Sequence, residues 1–296
     1  MMTMRMIFIF IDGFGLGDSD ISGNPIFAAN TPNLDFIFNN FKLLPTDTLL
    51  GVPGLPQSAT GQTAIFTGVN ASKVLGRHLN AQPSISLKKI IREDNLFKKL
   101  IYMGFKVTNA NVYRQEYLDR MSNPEEKRYK PSVTSVMTMS AGLSFRMMED
   151  YKKGQGIYHD ITGQIIVDSG YDAEIITPVE AAGRLYAISR ENDFTLFEHF
   201  MTDIIGHKMN MELAIKEIEL LDAFLGELAR LADQKNDIIF ITSDHGNIED
   251  IKVKTHTMNK VPTIIIGKIP AGANVNVESL MDITPVVLEI FRGGSK

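Results

Sequence analysis

Short runs of apolar residues recur along this chain and end abruptly at polar residues. A continuous run rich in Ile, Val and Phe is typical of a strand that is buried on both faces. Four stretches fit this pattern, and a fifth candidate strand follows a helical pattern. The predicted strands are residues 5–11, 106–112, 194–200, 237–242 and 262–266.

Helical patterns separate these strands, with apolar residues at spacings of three and four. The helix predicted from Thr177 has a threonine as its cap and a proline in its first turn. Strands that alternate with helices favour an α/β fold, in which helices sandwich a mainly parallel sheet. The predicted helices are residues 95–105, 177–189, 211–234 and 283–291.

The alternation of strands and helices is lost between residues 113 and 174. This segment begins with polar and charged residues, continues through a Met-rich stretch, and then becomes rich in Gly and Asp. We interpret it as a small inserted lid or cap. The predicted division is an α/β core, residues 1–112 and 175–296, with a lid at 113–174.

Acidic residues and histidines lie where the apolar runs end. In parallel sheets, sites form at the carboxyl ends of the strands, and carboxylates and imidazoles are ligands for divalent metals. One such aspartate is usually a turn or cap residue and one such histidine is usually structural, but the combination is harder to explain in that way. The candidate metal ligands are Asp12, Asp203, His207, Asp244, His245 and His256.

The segment 54–62, GLPQSATGQ, precedes another apolar run and contains Ser58. A serine at a helix N-terminus has two interpretations. It is either a cap that stabilises the helix by roughly 1 kcal/mol, or a nucleophile that a metal activates to attack phosphorus. Thr60 and Thr63 are the other hydroxyls in reach, and we rank both below Ser58.

Composition narrows the class of protein. The chain of 296 residues is 44% apolar and 22% charged, as is ordinary for a globular protein, and its net charge of −5 predicts no binding to nucleic acid. It has no cysteine, which excludes disulfides and thiolate chemistry. No apolar run approaches the 18 residues of a membrane span, so we expect a cytoplasmic protein without membrane contact.

The ordered motifs resemble the alkaline phosphatase superfamily, and most closely its cofactor-independent phosphoglycerate mutase and phosphopentomutase branch. SDHGN with the downstream HTMNKVP is the most specific part of the likeness. The segments that carry it are IDGFG at 11–15, GLPQSATGQ at 54–62, TDIIGH at 202–207, SDHGN at 243–247 and HTMNKVP at 256–262.

This resemblance implies two divalent metal ions, Mn²⁺ or Zn²⁺, and Ser58 as the nucleophile. Gln62 stands where the family has a histidine, and its amide remains able to donate to a phosphate. The implied ligands of one metal are Asp12, Ser58, Asp244 and His245, and those of the other are Asp203, His207 and His256.

Four further polar residues have open interpretations. Asn247 and Asn259 either orient the ligands or form turns. Arg77 is either a clamp for an anionic substrate group or a solvated surface residue. His159 either lines a cleft between lid and core or packs as a structural histidine.

The expected reaction is phosphoryl transfer through a phosphoserine, with a small phosphorylated substrate. The lid has eight Lys and Arg against ten Asp and Glu, and lacks evident arginine motifs for phosphoglycerate. We therefore expect a phosphomonoester hydrolase rather than a phosphomutase. A non-catalytic metal- or phosphate-binding protein is a third reading, and a sulfatase is disfavoured because there is no cysteine to convert.

Overall fold

One six-stranded sheet organises the computed structural model, which describes residues 4–123, 125 and 130–294. Lys127 and Arg128, two cations counted in the predicted lid, lie outside the described residues. The strands are β1 (Arg5–Ile11), β2 (Lys42–Thr46), β3 (Val107–Asn109), β4 (Phe194–His199), β5 (Asp237–Thr242) and β6 (Val261–Ile266).

Helices lie between the strands along most of the described chain, and none of those described is long and apolar enough to cross a membrane. A short 3₁₀ turn, Leu280–Asp282, precedes the last helix. The α-helices are α1 (Pro25–Ala28), α2 (Pro32–Asn40), α3 (Ser58–Thr67), α4 (Ala71–Leu75), α5 (Ile85–Glu93), α6 (Leu96–Tyr102), α7 (Gln115–Ser122), α8 (Val133–Ser140), α9 (Met148–Lys152), α10 (Gln164–Asp168), α11 (Pro178–Ser189), α12 (Met201–Gly206), α13 (Met211–Leu231) and α14 (Ile283–Gly294).

The strand order is β2-β6-β5-β1-β4-β3, and the sheet is mainly parallel, as predicted. Among the described strands, β6 alone runs opposite to the other five, so its pairings with β5 and β2 are antiparallel. The apolar pattern did not predict β2, a short edge strand that contains Pro45, which an edge position tolerates. Strand β3 is shorter than the predicted 106–112, because the chain beyond it forms isolated bridges to Ile157 and Arg146.

Each central strand buries both of its faces. On β1, Met6, Phe8 and Phe10 point into one apolar cluster, which α3 and α14 complete. The intervening Ile residues of β1 point into a second cluster, which α11 and α13 complete. This two-layer burial explains why the strands have no polar alternation. The alternation of side-chain direction continues past the ends of β1 and β5. Asp12 and Asp244 therefore point toward α3, where Gln62 bonds both.

The segment 113–174 packs in two ways. Helix α8 contributes Val133, Val136 and Met137 to the cluster that contains α3. A smaller cluster outside the main core contains Tyr151 and Tyr158. The segment is therefore partly a layer of the core, and its action as a lid stays a prediction.

Phe8 offers a test of the core. Its ring is fully buried and lies 5.1–5.8 Å from the rings of Phe66, Phe194 and Phe240. We expect Phe8→Ala to lower the free energy of unfolding by about 3–5 kcal/mol, measured by urea denaturation. Phe27→Ala is the matched control, because Phe27 is 49% exposed, and it should cost about 1 kcal/mol or less. Equal losses in the two variants would contradict this account of the core.

Candidate metal centre

All six predicted metal ligands lie at one edge of the sheet. Asp12 follows β1 directly, and its backbone N–H donates to the carbonyl of His199 at the end of β4. Asp203 lies in α12, which begins just after β4, and Asp244 lies two residues beyond β5. Within the described residues, the ligand atoms form two clusters, Asp12 with Asp244 and His245, and Asp203 with His245 and His256.

The first cluster is buried, and Asp12 connects it to a cavity. The Nε2 atom of His245 lies 3.2 Å from Asp12 Oδ1 and 3.7 Å from Asp244 Oδ2. Asp12 Oδ1 is buried and has no aligned hydrogen bond, although His245 is this close. Three ligand atoms that converge without satisfying one another are suited to a shared cation. Gln62 Nε2 donates to Asp244 Oδ2 at 3.1 Å and, more weakly, to Asp12 Oδ2 at 3.4 Å.

The second cluster surrounds Asp203. The Nε2 atoms of His207 and His256 each lie 3.4 Å from Asp203 Oδ1. Asn247 Nδ2 donates to the same oxygen at 2.7 Å, and so fixes the orientation of this carboxylate. The ring of His256 stacks on that of His245, with centroids 3.7 Å apart, so the two clusters adjoin.

The hydrogen bonds of the three histidines favour metal binding. The Nδ1 atom of each faces a backbone carbonyl oxygen, to which its N–H can donate. That tautomer leaves the Nε2 lone pair free to bind a metal, an arrangement typical of zinc and related sites. The pairs are His207 with Lys254 O at 2.7 Å, His245 with Gly246 O at 3.3 Å and His256 with Pro56 O at 2.8 Å.

Crowded carboxylates dominate the electrostatics of the site. Burial, with help from Asp244, raises the pKa of Asp12 to about 7, and burial also raises the pKa of Asp244. Burial alone would lower the pKa of His245, but Asp244 and Asp12 raise it to about 10. Burial opposes ionisation of Asp203, yet its hydrogen bonds and the nearby imidazoles hold its pKa at about 2. These carboxylates stabilise positive charge, whether a proton or a metal ion supplies it.

Ser58 adjoins the first cluster. It is the first residue of α3, and its Oγ lies 3.0 Å from His245 Nε2. Gln57 occupies the N-cap position, so the Ser58 side chain does not cap the helix. The hydroxyls of Thr60 and Thr63 instead donate to backbone carbonyls. Ser58 is therefore the hydroxyl of this segment that reaches the ligands.

Gly13 allows the two clusters to approach each other. Its φ of 68° lies in the left-handed region, and a Cβ atom there would lie 2.9 Å from Asp203 Cβ. A side chain at this position would therefore push Asp203 away from Asp12.

A buried carboxylate that the sequence analysis missed holds the ligand loops together. Glu249 Oε2 accepts the backbone N–H groups of Gly15 at 3.1 Å and Asn247 at 2.7 Å. Its Oε1 accepts from the Thr257 hydroxyl and, at 3.0 Å, from Asn259 Nδ2. A Cβ on Gly15 would lie 2.3 Å from the Glu249 carboxyl group, so the glycine makes room for it.

The position of Glu249 links three ligands that are distant in sequence. Its partners lie three residues after Asp12, two after His245 and one after His256. One buried side chain therefore sets the relative placement of three loops. The sequence offered a weak signal, an acidic residue two positions after the SDHGN motif. Asn259 thus acts on Glu249, whereas Asn247 orients Asp203 itself.

A cavity of about 530 Å³ opens beside the ligands. Asp12, Ser58 and Gln62 form one side of it. The far side includes His159, whose ring stacks on Phe200 with centroids 3.8 Å apart. His159 thus both packs and lines the cavity. The cavity gives a substrate access to Ser58.

The structure places Arg77 on the surface, in agreement with the second of its two interpretations. Helix α4 ends at Gly76 in a left-handed conformation, which turns Arg77 outward, where it is exposed and outside the cavity wall. Arg114, which had been counted only as a lid cation, lines the cavity instead. Its side chain donates to Ser169 Oγ at 3.2 Å.

Residues 4–293 match the sequence model of the metalloenzyme superfamily. The chain belongs to this superfamily. It is 25% identical over 182 residues to a 2,3-bisphosphoglycerate-independent phosphoglycerate mutase of Mesomycoplasma hyopneumoniae (strain 7448), and the match covers 56% of this chain and 36% of the mutase. The chain thus spans about a third of that curated relative.

Solved structures superpose on nearly the whole length of this chain. A Pyrococcus horikoshii protein superposes with a TM-score of 0.60 at 15% identity, covering 99% of this chain and 98% of the other. The alkaline phosphatase from the Antarctic bacterium TAB5 superposes with a TM-score of 0.53 at 14% identity, covering 99% of both chains. These likenesses confirm the predicted α/β fold, and the superfamily match together with the mutase relative confirms the family resemblance.

Membership of the metalloenzyme superfamily implies an enzyme that binds divalent metal. The residues fit such ions, because the buried Asp12 Oδ1 has no hydrogen-bond partner and three imidazole Nε2 atoms are free to coordinate. The choice between Mn²⁺ and Zn²⁺ stays a prediction.

Glu249→Gln tests whether the loop-linking carboxylate supports metal binding. The amide keeps the size of the side chain but loses one of two acceptor oxygens that face four donors. We expect metal affinity to fall about 10- to 100-fold, as is typical for groups that position ligands, measured by titration of the metal-free protein. Glu212→Gln is the control, since Glu212 is exposed and pairs with Lys216 on the surface of α13. Unchanged affinity in Glu249→Gln would show that the loops are held by other contacts.

Proposed function

We propose that this protein transfers phosphoryl groups between oxygen atoms through a phosphoserine at Ser58. The observation that carries the proposal is the position of Ser58 Oγ, 3.0 Å from Nε2 of His245, the residue that the two ligand clusters share. A hydroxyl at the junction of two cation sites is placed for attack on a phosphate. The N-terminus of α3 adds a partial positive charge that favours the phosphate.

Different side chains would bind the ions, attack the phosphate and position the ligands. Asp12, Ser58, Asp244 and His245 would hold one ion, and Asp203, His207 and His256 the other. Bound divalent ions would neutralise phosphate charge and acidify the serine hydroxyl. Ser58 Oγ forms a bond to phosphorus as the bond to the ester oxygen breaks, and the proton that Ser58 gives up balances the one that the ester oxygen takes up to leave as an alcohol. Gln62 keeps Asp12 and Asp244 in place through its amide.

The second half of the reaction decides the class of enzyme. If a hydroxyl of the retained alcohol accepts the phosphoryl group, the enzyme is a mutase, and if water accepts it, the enzyme is a hydrolase. The names of the sequence relatives favour the mutase over the hydrolase that the lid composition suggested. We therefore propose a phosphomutase and keep the hydrolase as the second candidate. In support of the hydrolase, Arg114 is the only Lys or Arg among the described residues that line the cavity.

Ser58→Ala tests the nucleophile. We expect turnover of p-nitrophenyl phosphate with Mn²⁺ or Zn²⁺ to be lost, while metal content by elemental analysis stays near the wild-type level, because Asp12, Asp244 and His245 remain to hold the ion. The control is Thr63→Val, which removes a buried hydroxyl of the same helix that donates only to Ala59 O, and it should keep its turnover. Full activity in Ser58→Ala would exclude a phosphoserine at this position.

Isotope labelling separates the two classes of enzyme. The wild-type protein is incubated with a phosphomonoester of a vicinal diol in H₂¹⁸O, and the products are examined by mass spectrometry. A mutase returns the phosphoryl group to the neighbouring hydroxyl, so we expect the isomeric phosphomonoester without ¹⁸O. Inorganic phosphate that carries ¹⁸O as the main product would instead establish the hydrolase.

A further inference from the structure

Glu198 occupies a core position on β4. Phe194 and Leu196 point into the apolar cluster beneath α3, and Glu198 continues that alternation one step further along the strand. Its side chain is only 7% exposed, and the exposed part faces the cavity that contains Ser58. Burying a carboxyl group at such a position destabilises the fold unless the group has hydrogen-bond partners. Its presence therefore suggests a functional role.

The contacts of Glu198 hold it rigidly but leave one oxygen free. Asn111 bonds its backbone on both sides, accepting from the Glu198 N–H at 2.8 Å and donating to its carbonyl at 2.7 Å. Thr134 donates to Oε2 at 2.6 Å. The other oxygen, Oε1, has no protein partner within the described chain, and no described cation pairs with the carboxyl. One acceptor atom is therefore preorganised toward the cavity.

The groups around Glu198 indicate what kind of ligand group could bind its free oxygen, Oε1. Burial, with a smaller contribution from the charge of Asp12, raises the pKa of Glu198 to about 7, so the surroundings disfavour a further anionic group beside it. Arg114 in the cavity wall disfavours a cationic group. Tyr113, Tyr117 and Tyr158 line the remaining wall. A neutral group that both donates and accepts hydrogen bonds fits, and a hydroxyl is such a group.

We propose that Glu198 determines substrate specificity by hydrogen bonding to a hydroxyl of the substrate's organic part, so that the site takes neutral, polyhydroxylated phosphomonoesters in preference to those that carry a carboxylate. This inference rests on the proposed phosphoryl-transfer function of the same site. It adds the chemical class of the group that lies beyond the phosphate.

A matched pair of ligands tests the assignment. Glycerol 3-phosphate and 3-phosphoglycerate differ in one carbon, which is a hydroxymethyl group in the first and a carboxylate in the second. Binding of each to the Mn²⁺-loaded Ser58→Ala protein is measured by calorimetry at pH 8, where Glu198 is mainly ionised and turnover cannot occur. We expect glycerol 3-phosphate to bind about tenfold more tightly or better, as one hydrogen bond to a charged group provides.

Adding Glu198→Gln removes the charge and keeps the shape. The preference should then shrink to about threefold or less, mainly because 3-phosphoglycerate binds more tightly. Adding the exposed Glu212→Gln instead should leave the preference unchanged. Equal or tighter binding of 3-phosphoglycerate to the Ser58→Ala protein would overturn the proposal even if the Glu198→Gln variant does not fold.

Two further outcomes are informative. Phosphoethanolamine that binds more tightly than glycerol 3-phosphate would overturn hydroxyl recognition in favour of cation recognition, and absence of binding by any of the three ligands would also overturn it. Because these are binding measurements, the proposed function fails separately. A wild-type protein that shows the expected preference but turns over no phosphomonoester with any metal would refute phosphoryl transfer and leave the Glu198 assignment standing.

Discussion

The repulsion among Asp12, Asp203 and Asp244 at one buried edge of the sheet is the constraint on which the site depends. Water screens such charges poorly at this depth, so the fold must supply positive charge or leave a carboxyl protonated. His245 answers part of this demand, since its pKa rises to about 10 between Asp12 and Asp244. Metal ions would replace that proton, since the Nε2 atom of His245, like those of His207 and His256, points inward as a ligand. The chemistry of the site follows from this unbalanced charge.

A few structural features of the fold hold these three carboxylates close together. The alternation that buries Phe8 and Phe10 also directs Asp12 toward α3, where Gln62 and Ser58 lie one helical turn apart. Gly13 allows the loop after β1 to pass close to Asp203. Glu249 then ties the loops that carry the ligands through four hydrogen bonds. Each feature acts on backbone geometry, so the ligands are positioned before any ion binds.

The apolar runs predicted the central strands well, because a strand buried on both faces leaves a plain sequence pattern. The convergence of the six candidate ligands on one edge of the sheet was also predictable, since they follow strand ends and short motifs. Strand β2 and the pairing direction of β6 were not, because edge position and strand order depend on contacts far apart in sequence. Glu249, Glu198 and Arg114 were missed for the same reason. A lone charged residue acquires its meaning only when the fold shows which loop, cavity or strand faces it.

The most direct test of the two-ion site is anomalous diffraction from crystals grown with Mn²⁺ and inorganic phosphate. The account predicts two anomalous peaks, one bound by Asp12, Asp244 and His245 and one bound by Asp203, His207 and His256. The phosphate should lie between them and Ser58 Oγ. A single peak, or two peaks with the phosphate bound away from Ser58, would contradict the central claim.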